Sequence, residues 1–307
     1  MNGVLIVDKP SGMTSHDVVN RVRRILHEPS VGHLGTLDPL ATGVLPLVAG
    51  NLTRLAQFYV SSEKTYEGII RFGFATDTYD SDGEPASPPL SVQVSLEQLR
   101  GLASQFVGTI HQIPPSFSAK KIKGVPAYKL ARKHQEVTLK PVQVEIKEFE
   151  ILSLENDQAG FRARVASGTY IRSIAHEMGQ QVGCGAHLAS LRRTLLGEFD
   201  LAEAHTLDHL TAAAKGDPPD SLSAMFIHPR RLLPKFPCVT ATEETAAHIR
   251  GGRPVNLPEL SQARQVKVFV GQGELIAIAT RIAGTLFHPK IVLSGTRTVE
   301  MMTGNRS

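Results

Sequence analysis

The sequence of 307 residues lacks several features that mark specialised classes of protein. It has no tryptophan, and its two cysteines, Cys184 and Cys238, are too few for a disulfide framework or a thiolate zinc site. No apolar stretch approaches the ~18 residues that a membrane span requires. The first apolar run ends at Asp8 and Lys9 without a preceding basic segment, so no signal peptide is predicted. We therefore expect a reduced, cytoplasmic protein.

Motifs that bind metals, nucleotides or redox cofactors are also missing. The twelve histidines include no His-Glu-x-x-His pair, and Gly32-x-x-Gly35 lacks the Lys-Ser/Thr of a phosphate-binding loop. Residues 78–83 imitate a calcium-binding loop, but the loop begins with Thr78 and has Pro89 where its last carboxylate belongs. The sequence thus predicts no metal and no cofactor.

The charge of the chain is unevenly distributed. Apolar residues make up 41% and charged residues 20%, which is typical of a globular protein, and the net charge is +4. Between residues 120 and 140 seven lysines and arginines stand against Glu136 alone, so the local charge is +6 and the rest of the chain is net acidic. Such a concentration suits contacts with phosphates, although many charged segments are simply solvated surfaces.

Hydrophobic patterning predicts a mixture of strands and helices. Residues 170–182 and 186–195 show the pattern of two consecutive helices. Five prolines between residues 215 and 237 indicate a linker, and the remainder of the chain has the pattern of a small β domain. The other predicted elements are strands over 4–7, 44–48, 66–74, 142–146, 161–165, 266–270 and 275–278, and helices over 15–26, 52–60 and 95–107.

Two segments could present reactive side chains. Residues 32–43 are rich in glycine, and the Asp38-Pro39 pair disfavours a helix, so a bent loop should form between regular elements. Asp38 could then be a catalytic carboxylate or merely a turn residue. In the second segment Thr169 can cap a helix that presents Arg172, which could serve a site or simply be solvated.

Residues 32–43, GHLGTLDPLATG, strongly resemble the catalytic motif of the bacterial TruB-type tRNA pseudouridine synthases. Further segments resemble motifs of that family in the expected order, and together they cover about residues 3 to 200. Lys120 departs from the pattern, because an apolar residue is expected there. The matching segments are 9–15, 64–66 with 76–78, 114–132, and 168–172 followed by 183–187 and 191–193, while 249–255 resembles the family's RNA-binding PUA domain.

The resemblance implies an isomerase that converts uridine to pseudouridine at position 55 in the T-arm of tRNA. Isomerisation detaches the base from its sugar, turns it and rejoins it through carbon, which fits the missing cofactor motifs. Asp38 would be the nucleophile, with attack on the ring, attack on the sugar and elimination all left open. Arg172 would pair with Asp38, and Tyr66 would stack on the base and take part in proton transfer.

The same resemblance implies how the RNA is bound. Leu191 would form an apolar wall behind the uracil, His33 would hold the rearranged T-loop, and Lys9 and Tyr170 would contribute to substrate binding. The target uridine would have to leave its stack. The expected partner is tRNA, without a membrane, a metal or an obligatory protein partner, and the protein is expected to be a monomer. The predicted RNA-binding residues are Lys120, Lys121, Lys123 and Arg132.

The fold implied by the resemblance is α+β, with a mixed, mostly antiparallel sheet and a small C-terminal β-barrel of the PUA type. The catalytic domain is predicted over residues 1–230 and the PUA-like domain over 236–307. Three rival functions are a guide-RNA-dependent relative, an RNA-folding module with dispensable chemistry, and a metal-dependent phosphoesterase built on residues 77–82. The residues in the motifs resemble the bacterial form, which favours the stand-alone isomerase. The incomplete calcium-loop pattern disfavours the phosphoesterase.

Overall fold

The computed structural model describes residues 1–293 except 87, 119, 123, 132, 134, 136–138, 217–219 and 261. The first strands in chain order are β1 (Gly3–Lys9), β2 (Val31–His33), β3 (Thr42–Ala49), β4 (Lys64–Phe72), β5 (Gly108–Gln112), β6 (Lys121–Ile122), β7 (Val125–Pro126), β8 (Val142–Glu155), β9 (Gln158–Val165), β10 (Ala186–Leu196), β11 (Phe199–Asp200) and β12 (Phe226–Ile227). The helices among them are α1 (Ser15–Leu26), α2 (Leu96–Ser104), α3 (Ala127–Ala131), α4 (Ile171–Val182), α5 (Leu207–Lys215) and α6 (Asp220–Ser223).

A large sheet organises this part of the chain. Its strands follow the order β12-β1-β3-β10-β4-β9-β8-β5, with β2 added beside β3 and β11 beside β10. Within the described strands of this sheet, β3 and β10 run parallel and every other pairing is antiparallel. The helices α1, α2, α4 and α5 contribute to the hydrophobic cluster on the sheet. The predicted α+β fold with a mixed, mostly antiparallel sheet is confirmed.

The predicted helix over residues 186–195 is wrong, because this segment is the central strand β10. Helix α4 ends at Val182 and is capped by Gly183, and the positive φ angles of Gly183 and Gly185, 86° and 72°, turn the chain back toward the sheet. Strand β10 has irregular pairing with β4 after Leu188 and again after Arg193. Because each irregularity shifts the alternation of side chains, the apolar residues acquire the spacing of a helix.

The predicted linker over residues 215–237 is also wrong. Strand β12 pairs with β1 at the edge of the large sheet, and Leu222, Met225 and Leu232 are buried. The backbone N–H of Leu233 donates to Oε1 of Glu198 at 2.9 Å. The apolar residues between the prolines therefore fix this segment to the protein, and the domain boundary near residue 230 stays a prediction.

The other expected elements are present with shifted ends. The region of the predicted helix over 52–60 is a 3₁₀ helix, Gly50–Phe58. The elements of the C-terminal part are β13 (Cys238–Thr240), α7 (Glu243–Arg250), β14 (Val255–Asn256), β15 (Gln265–Val270), β16 (Glu274–Ala283) and β17 (Leu286–Val292). They form a curled half-barrel sheet, consistent with a PUA-like unit, in the order β13-β15-β16-β17-β14 with α7 packed against it.

A buried lysine fastens the C-terminal sheet to the segment that precedes it. Lys267 in β15 is only 1% exposed, and its Nζ donates to the carbonyl oxygens of Arg230 at 2.8 Å and Leu232 at 2.6 Å. The guanidinium of Arg230 lies over the ring of Phe269, 4.5 Å from the ring centre. A buried charge requires such partners, so Lys267 fixes the position of residues 230–232 against the C-terminal sheet.

We expect Lys267→Met to lower the free energy of unfolding by about 1–3 kcal/mol, because the buried carbonyl oxygen of Leu232 and the partly buried one of Arg230 lose their charged donor. Lys290→Met, at an exposed position of β17, is the matched control and should change stability by less than about 0.5 kcal/mol. Urea denaturation measures both variants. Equal stability of the two variants would contradict the structural role of Lys267.

Candidate active site

Asp38 lies in the loop between β2 and β3, and the backbone on both sides of it is fixed. The hydroxyl of Ser15, in the first turn of α1, accepts from the N–H of Leu37 at 2.8 Å and donates to the carbonyl of Leu37 at 3.0 Å. The N–H of Gly12 donates to the carbonyl of Pro39 at 2.9 Å. The first helix and the turn before it therefore hold the Asp38 peptide in place.

Lys9 fixes the second half of the same loop through hydrogen bonds to its backbone. It ends β1, is fully buried, and its Nζ donates to the carbonyl oxygens of Pro10 at 2.9 Å, Pro39 at 3.1 Å and Ala41 at 2.6 Å. Burial lowers the pKa of Lys9 to about 8, although the carboxylate of Asp38 opposes this effect. These hydrogen bonds of Lys9 Nζ go to backbone carbonyl oxygens, and the assignment of Lys9 to substrate binding stays a prediction.

Arg193 fixes the first half of the loop. It is fully buried in β10 and donates from Nε to the carbonyl of Val44 at 2.7 Å, from Nη1 to that of Thr36 at 3.3 Å and from Nη2 to that of Gly35 at 3.0 Å. Gly43 passes so close that a Cβ there would lie 2.2 Å from the carbonyl oxygen of Arg193, and its φ is +96°. Only glycine fits at this crossing.

Arg172 joins the Asp38 loop to two other loops. Its side chain, 6% exposed in the first turn of α4, places Nε 2.9 Å from Oδ2 of Asp38 and Nη1 3.4 Å from Oδ2 of Asp80. The Nε–H does not meet hydrogen-bond geometry, so the Asp38 contact is an ion pair. Nη1 also donates to the carbonyl of Thr78 at 3.1 Å, and Nη2 to that of Phe117 at 3.0 Å.

The two carboxylates beside Arg172 differ in exposure. The Asp38 side chain is 40% exposed, whereas that of Asp80 is 6% exposed. Oδ1 of Asp80 accepts from the hydroxyl of Thr78 at 2.6 Å and from the N–H of Asp82 at 3.2 Å. Burial, with the nearby charges of Asp80 and Asp38, raises the pKa of Asp82. Asp80 thus anchors Arg172 internally, while Asp38 faces outward.

The sequence patterns do not identify Asp80 or Arg193 as site residues. Asp80 follows the Thr76-Asp77-Thr78 motif and lies within the incomplete calcium-loop pattern. Its place two residues after that motif is the signal that could have identified it. Arg193 stood inside a motif of the family, but its contacts with the Asp38 loop depend on the pairing of β10 with β3.

Tyr66 and Leu191 lie on neighbouring strands in the same hydrophobic cluster. Tyr66 in β4 is 8% exposed and lies opposite Arg193 of β10, and its hydroxyl interacts with that guanidinium. Leu191 is also 8% exposed, and its carbonyl accepts from the hydroxyl of Thr42 at 3.4 Å. The sheet therefore brings the β4 tyrosine and the β10 leucine to the side of the Asp38 loop.

His33 and Tyr170 are both partly buried near that loop. Nδ1 of His33, at the end of β2, accepts from the N–H of Gly35 at 3.3 Å, and burial lowers the pKa of this imidazole, with Arg193 adding to the effect. Tyr170 precedes α4. Its backbone N–H donates to Oε1 of Gln112 at 2.8 Å, and its backbone carbonyl accepts from Nε2 of Gln112 at 3.0 Å. Burial raises the pKa of the Tyr170 phenol.

The predicted RNA-binding segment is only partly within the described residues. Lys120 is exposed, and Lys121 begins the short β6–β7 hairpin. Lys123 and Arg132 lie outside the described residues. In the part of the chain that is described, no group of three or more His, Cys, Asp or Glu residues could hold a metal ion. None of the described helices is long and apolar enough to cross a membrane.

The buried Lys9 predicts a specific pH dependence of stability. Below about pH 8 Lys9 is charged in both folded and unfolded protein, whereas between about pH 8 and its ordinary pKa of 10.5 the folded state binds fewer protons. The stability of the wild type should therefore rise relative to Lys9→Met by about 1–3 kcal/mol from about pH 7.5 to pH 10. Denaturation curves at each pH measure it.

Lys140→Met, at an exposed position, is the control for this titration. Its free energy of unfolding should differ from that of the wild type by an amount that does not change with pH. If the difference in unfolding free energy between the wild type and Lys9→Met also stayed constant with pH, a lowered pKa of the buried lysine would be contradicted.

Solved structures share this fold. The archaeal box H/ACA sRNP Nop10-Cbf5 complex matches with a TM-score of 0.69 at 23% identity, covering 95% of this chain and 86% of that one. A Cbf5-Nop10-Gar1 complex matches with a TM-score of 0.70 at 24% identity, covering 95% of this chain and 85% of that one. At this level of identity the likeness concerns the fold alone.

Sequence comparisons identify the family. The N-terminal domain of the TruB family pseudouridylate synthases matches residues 23–171, and the tRNA pseudouridylate synthase B C-terminal domain matches residues 172–229. The tRNA pseudouridine synthase B of Solibacter usitatus (strain Ellin6076) is 50% identical, covering 95% of this chain and all of that protein. That of Stutzerimonas stutzeri (strain A1501) is 40% identical, covering 91% of each. The chain therefore belongs to the TruB family of pseudouridylate synthases.

Proposed function

We propose that this protein isomerises uridine to pseudouridine at position 55 in the T-arm of tRNA, and that it does so as a cytoplasmic monomer without a guide RNA or protein partner. The full-length similarity to proteins named tRNA pseudouridine synthase B supports tRNA as the substrate. The observation that carries the proposal is Asp38, a partly exposed carboxylate on a rigid loop, paired with the buried Arg172.

Asp38 has the properties that covalent or elimination chemistry on a nucleoside needs. Its Oδ2 is 2.9 Å from Arg172 Nε, and the loop backbone beside it is bonded to Ser15, Gly12 and Lys9. A carboxylate held in one orientation needs little reorganisation when it meets the substrate. During the isomerisation the bond from the sugar to the ring nitrogen breaks and a bond to a ring carbon forms, with no change in composition. Asp38 initiates this exchange by attacking the ring, attacking the sugar or starting an elimination.

Tyr66 and Leu191 are proposed to receive the uracil after it leaves the RNA stack. Both residues are 8% exposed and belong to the same hydrophobic cluster. An aromatic ring and an aliphatic side chain can enclose an uncharged base, which compensates part of the cost of flipping, a few kcal/mol. The hydroxyl of Tyr66, which interacts with Arg193, is the group proposed to move a proton as the base is rejoined.

The tRNA backbone is proposed to be bound by the basic segment and the C-terminal unit. Lys120, which is exposed, is proposed to act with Lys121, Lys123 and Arg132 on phosphates. His33 is proposed to hold the rearranged T-loop, and Tyr170 and Lys9 are proposed to contribute to substrate binding. In this proposal residues 1–230 form the catalytic domain, and 236–307 form a PUA-like domain that adds RNA contacts.

The experiment incubates purified protein with an unmodified tRNA transcript and maps pseudouridine in the product. We expect modification at tRNA position 55 by the wild type without any added RNA or protein. Asp38→Asn should reduce the rate by at least about 1,000-fold, because the amide cannot act as a nucleophile, while tRNA affinity changes by less than about threefold.

The exposed Asp208→Asn is the matched control, since it removes a carboxylate from a surface ion pair with Arg21 and should leave the rate unchanged. Substantial activity of Asp38→Asn would refute the proposed role of Asp38. Modification at another uridine, or a need for a guide RNA, would refute the proposed substrate or the stand-alone activity.

A further inference from the structure

Tyr79 and His176 form a stacked pair next to the Arg172 contacts. Their ring centres lie 3.8 Å apart, and their planes differ by 12°. Both side chains are half-buried, and neither belongs to the hydrophobic core clusters. The backbone of Tyr79 has φ +66°, in the left-handed region that an aromatic residue rarely adopts without support from its surroundings. The stack therefore coincides with a strained residue.

Tyr79 stands between Thr78 and Asp80, two of the residues that hold Arg172. Nη1 of Arg172 contacts the carbonyl of Thr78 on one side of Tyr79 and the carboxylate of Asp80 on the other. The carbonyl of Tyr79 accepts from the N–H of Leu188 in β10 at 3.0 Å, which fixes the peptide to the sheet. The conformation of Tyr79 thus sets the spacing between the Thr78 carbonyl and the Asp80 carboxylate, which both face Nη1 of Arg172.

Helix α4 contacts this segment at two points. His176 lies four residues after Arg172, so both side chains project from the same face of the helix. The His176 ring is oriented by Gln180, whose Nε2 lies 2.9 Å from His176 Nε2, whereas Nδ1 of His176 is buried without a hydrogen-bond partner. The ring therefore contributes to this contact mainly through its face, against Tyr79.

We infer that the Tyr79–His176 stack is a positioning pair for the isomerisation, which holds residues 78–80 so that Asp80 and Thr78 keep Arg172, and through it Asp38, in the reactive geometry. The inference rests on the proposed function, because it assigns the pair to the same site. Neither ring is placed on the substrate, so the effect should appear in the chemical step and not in tRNA affinity.

The test measures single-turnover rates at saturating tRNA, together with tRNA dissociation constants. We expect His176→Ala and Tyr79→Ala each to lower the rate about 3- to 10-fold, as loss of an aromatic pair implies, with affinity changed by less than about twofold. His176→Phe and Tyr79→Phe keep the stack and should retain at least about half of the wild-type rate. His209→Ala, which removes a ring from the contact with His205, is the control and should have the wild-type rate.

A second comparison uses the Asp80→Asn background. If the stack acts through Asp80 and Arg172, His176→Ala should lower the single-turnover rate by a smaller factor in the Asp80→Asn background than in the wild-type background. An unchanged rate in His176→Ala, an equal loss in His176→Phe, an equal cost in both backgrounds, or a parallel loss of tRNA affinity would overturn the inference. Absence of pseudouridine with the wild type would instead refute the proposed function, so the two failures are distinguishable.

Discussion

The buried guanidinium of Arg172 is the constraint on which the candidate site depends. A charge that is 6% exposed is stable only where it is paired and hydrogen-bonded, and Arg172 finds its partners on three separate loops. The loops that carry Asp38, Thr78 with Asp80, and Phe117 must therefore close around one side chain. Of the two carboxylates that pair with Arg172, Asp38 is the more exposed, at 40% against 6% for Asp80.

Two further buried cations make the Asp38 loop rigid. Lys9 and Arg193 together donate to six backbone carbonyl groups, four of them between residues 35 and 41. Charged donors satisfy a tight loop whose carbonyl oxygens cannot all pair within a sheet. This arrangement explains how a loop rich in glycine can hold the Asp38 carboxylate in one orientation. Lys9 and Arg193 reach the loop from both sides, because they lie on β1 and β10, the two neighbours of β3 in the sheet.

Sequence reasoning was most successful where local chemistry determines the structure. The loop predicted over 32–43 is observed over 34–41, where the Asp-Pro pair lies, and its ends belong to β2 and β3. The fold class follows from the motifs of the family. Strand β10 was mistaken for a helix because its irregular pairing with β4 gives apolar residues helical spacing. The supposed linker is held by contacts with β1 and Glu198 that no local pattern reveals. The partnership of Asp80 with Arg172 likewise depends on tertiary packing.

The most direct measurement is the single-turnover rate of pseudouridine formation by Arg172→Lys on a tRNA transcript. Lysine keeps the positive charge but has one nitrogen, which cannot reach Asp38, Asp80 and the two carbonyl oxygens together. We expect a rate at least about 100-fold lower, with a folded protein of nearly unchanged tRNA affinity, because Asp38 loses its fixed orientation. A folded Arg172→Lys protein with a rate within about threefold of the wild type would contradict it.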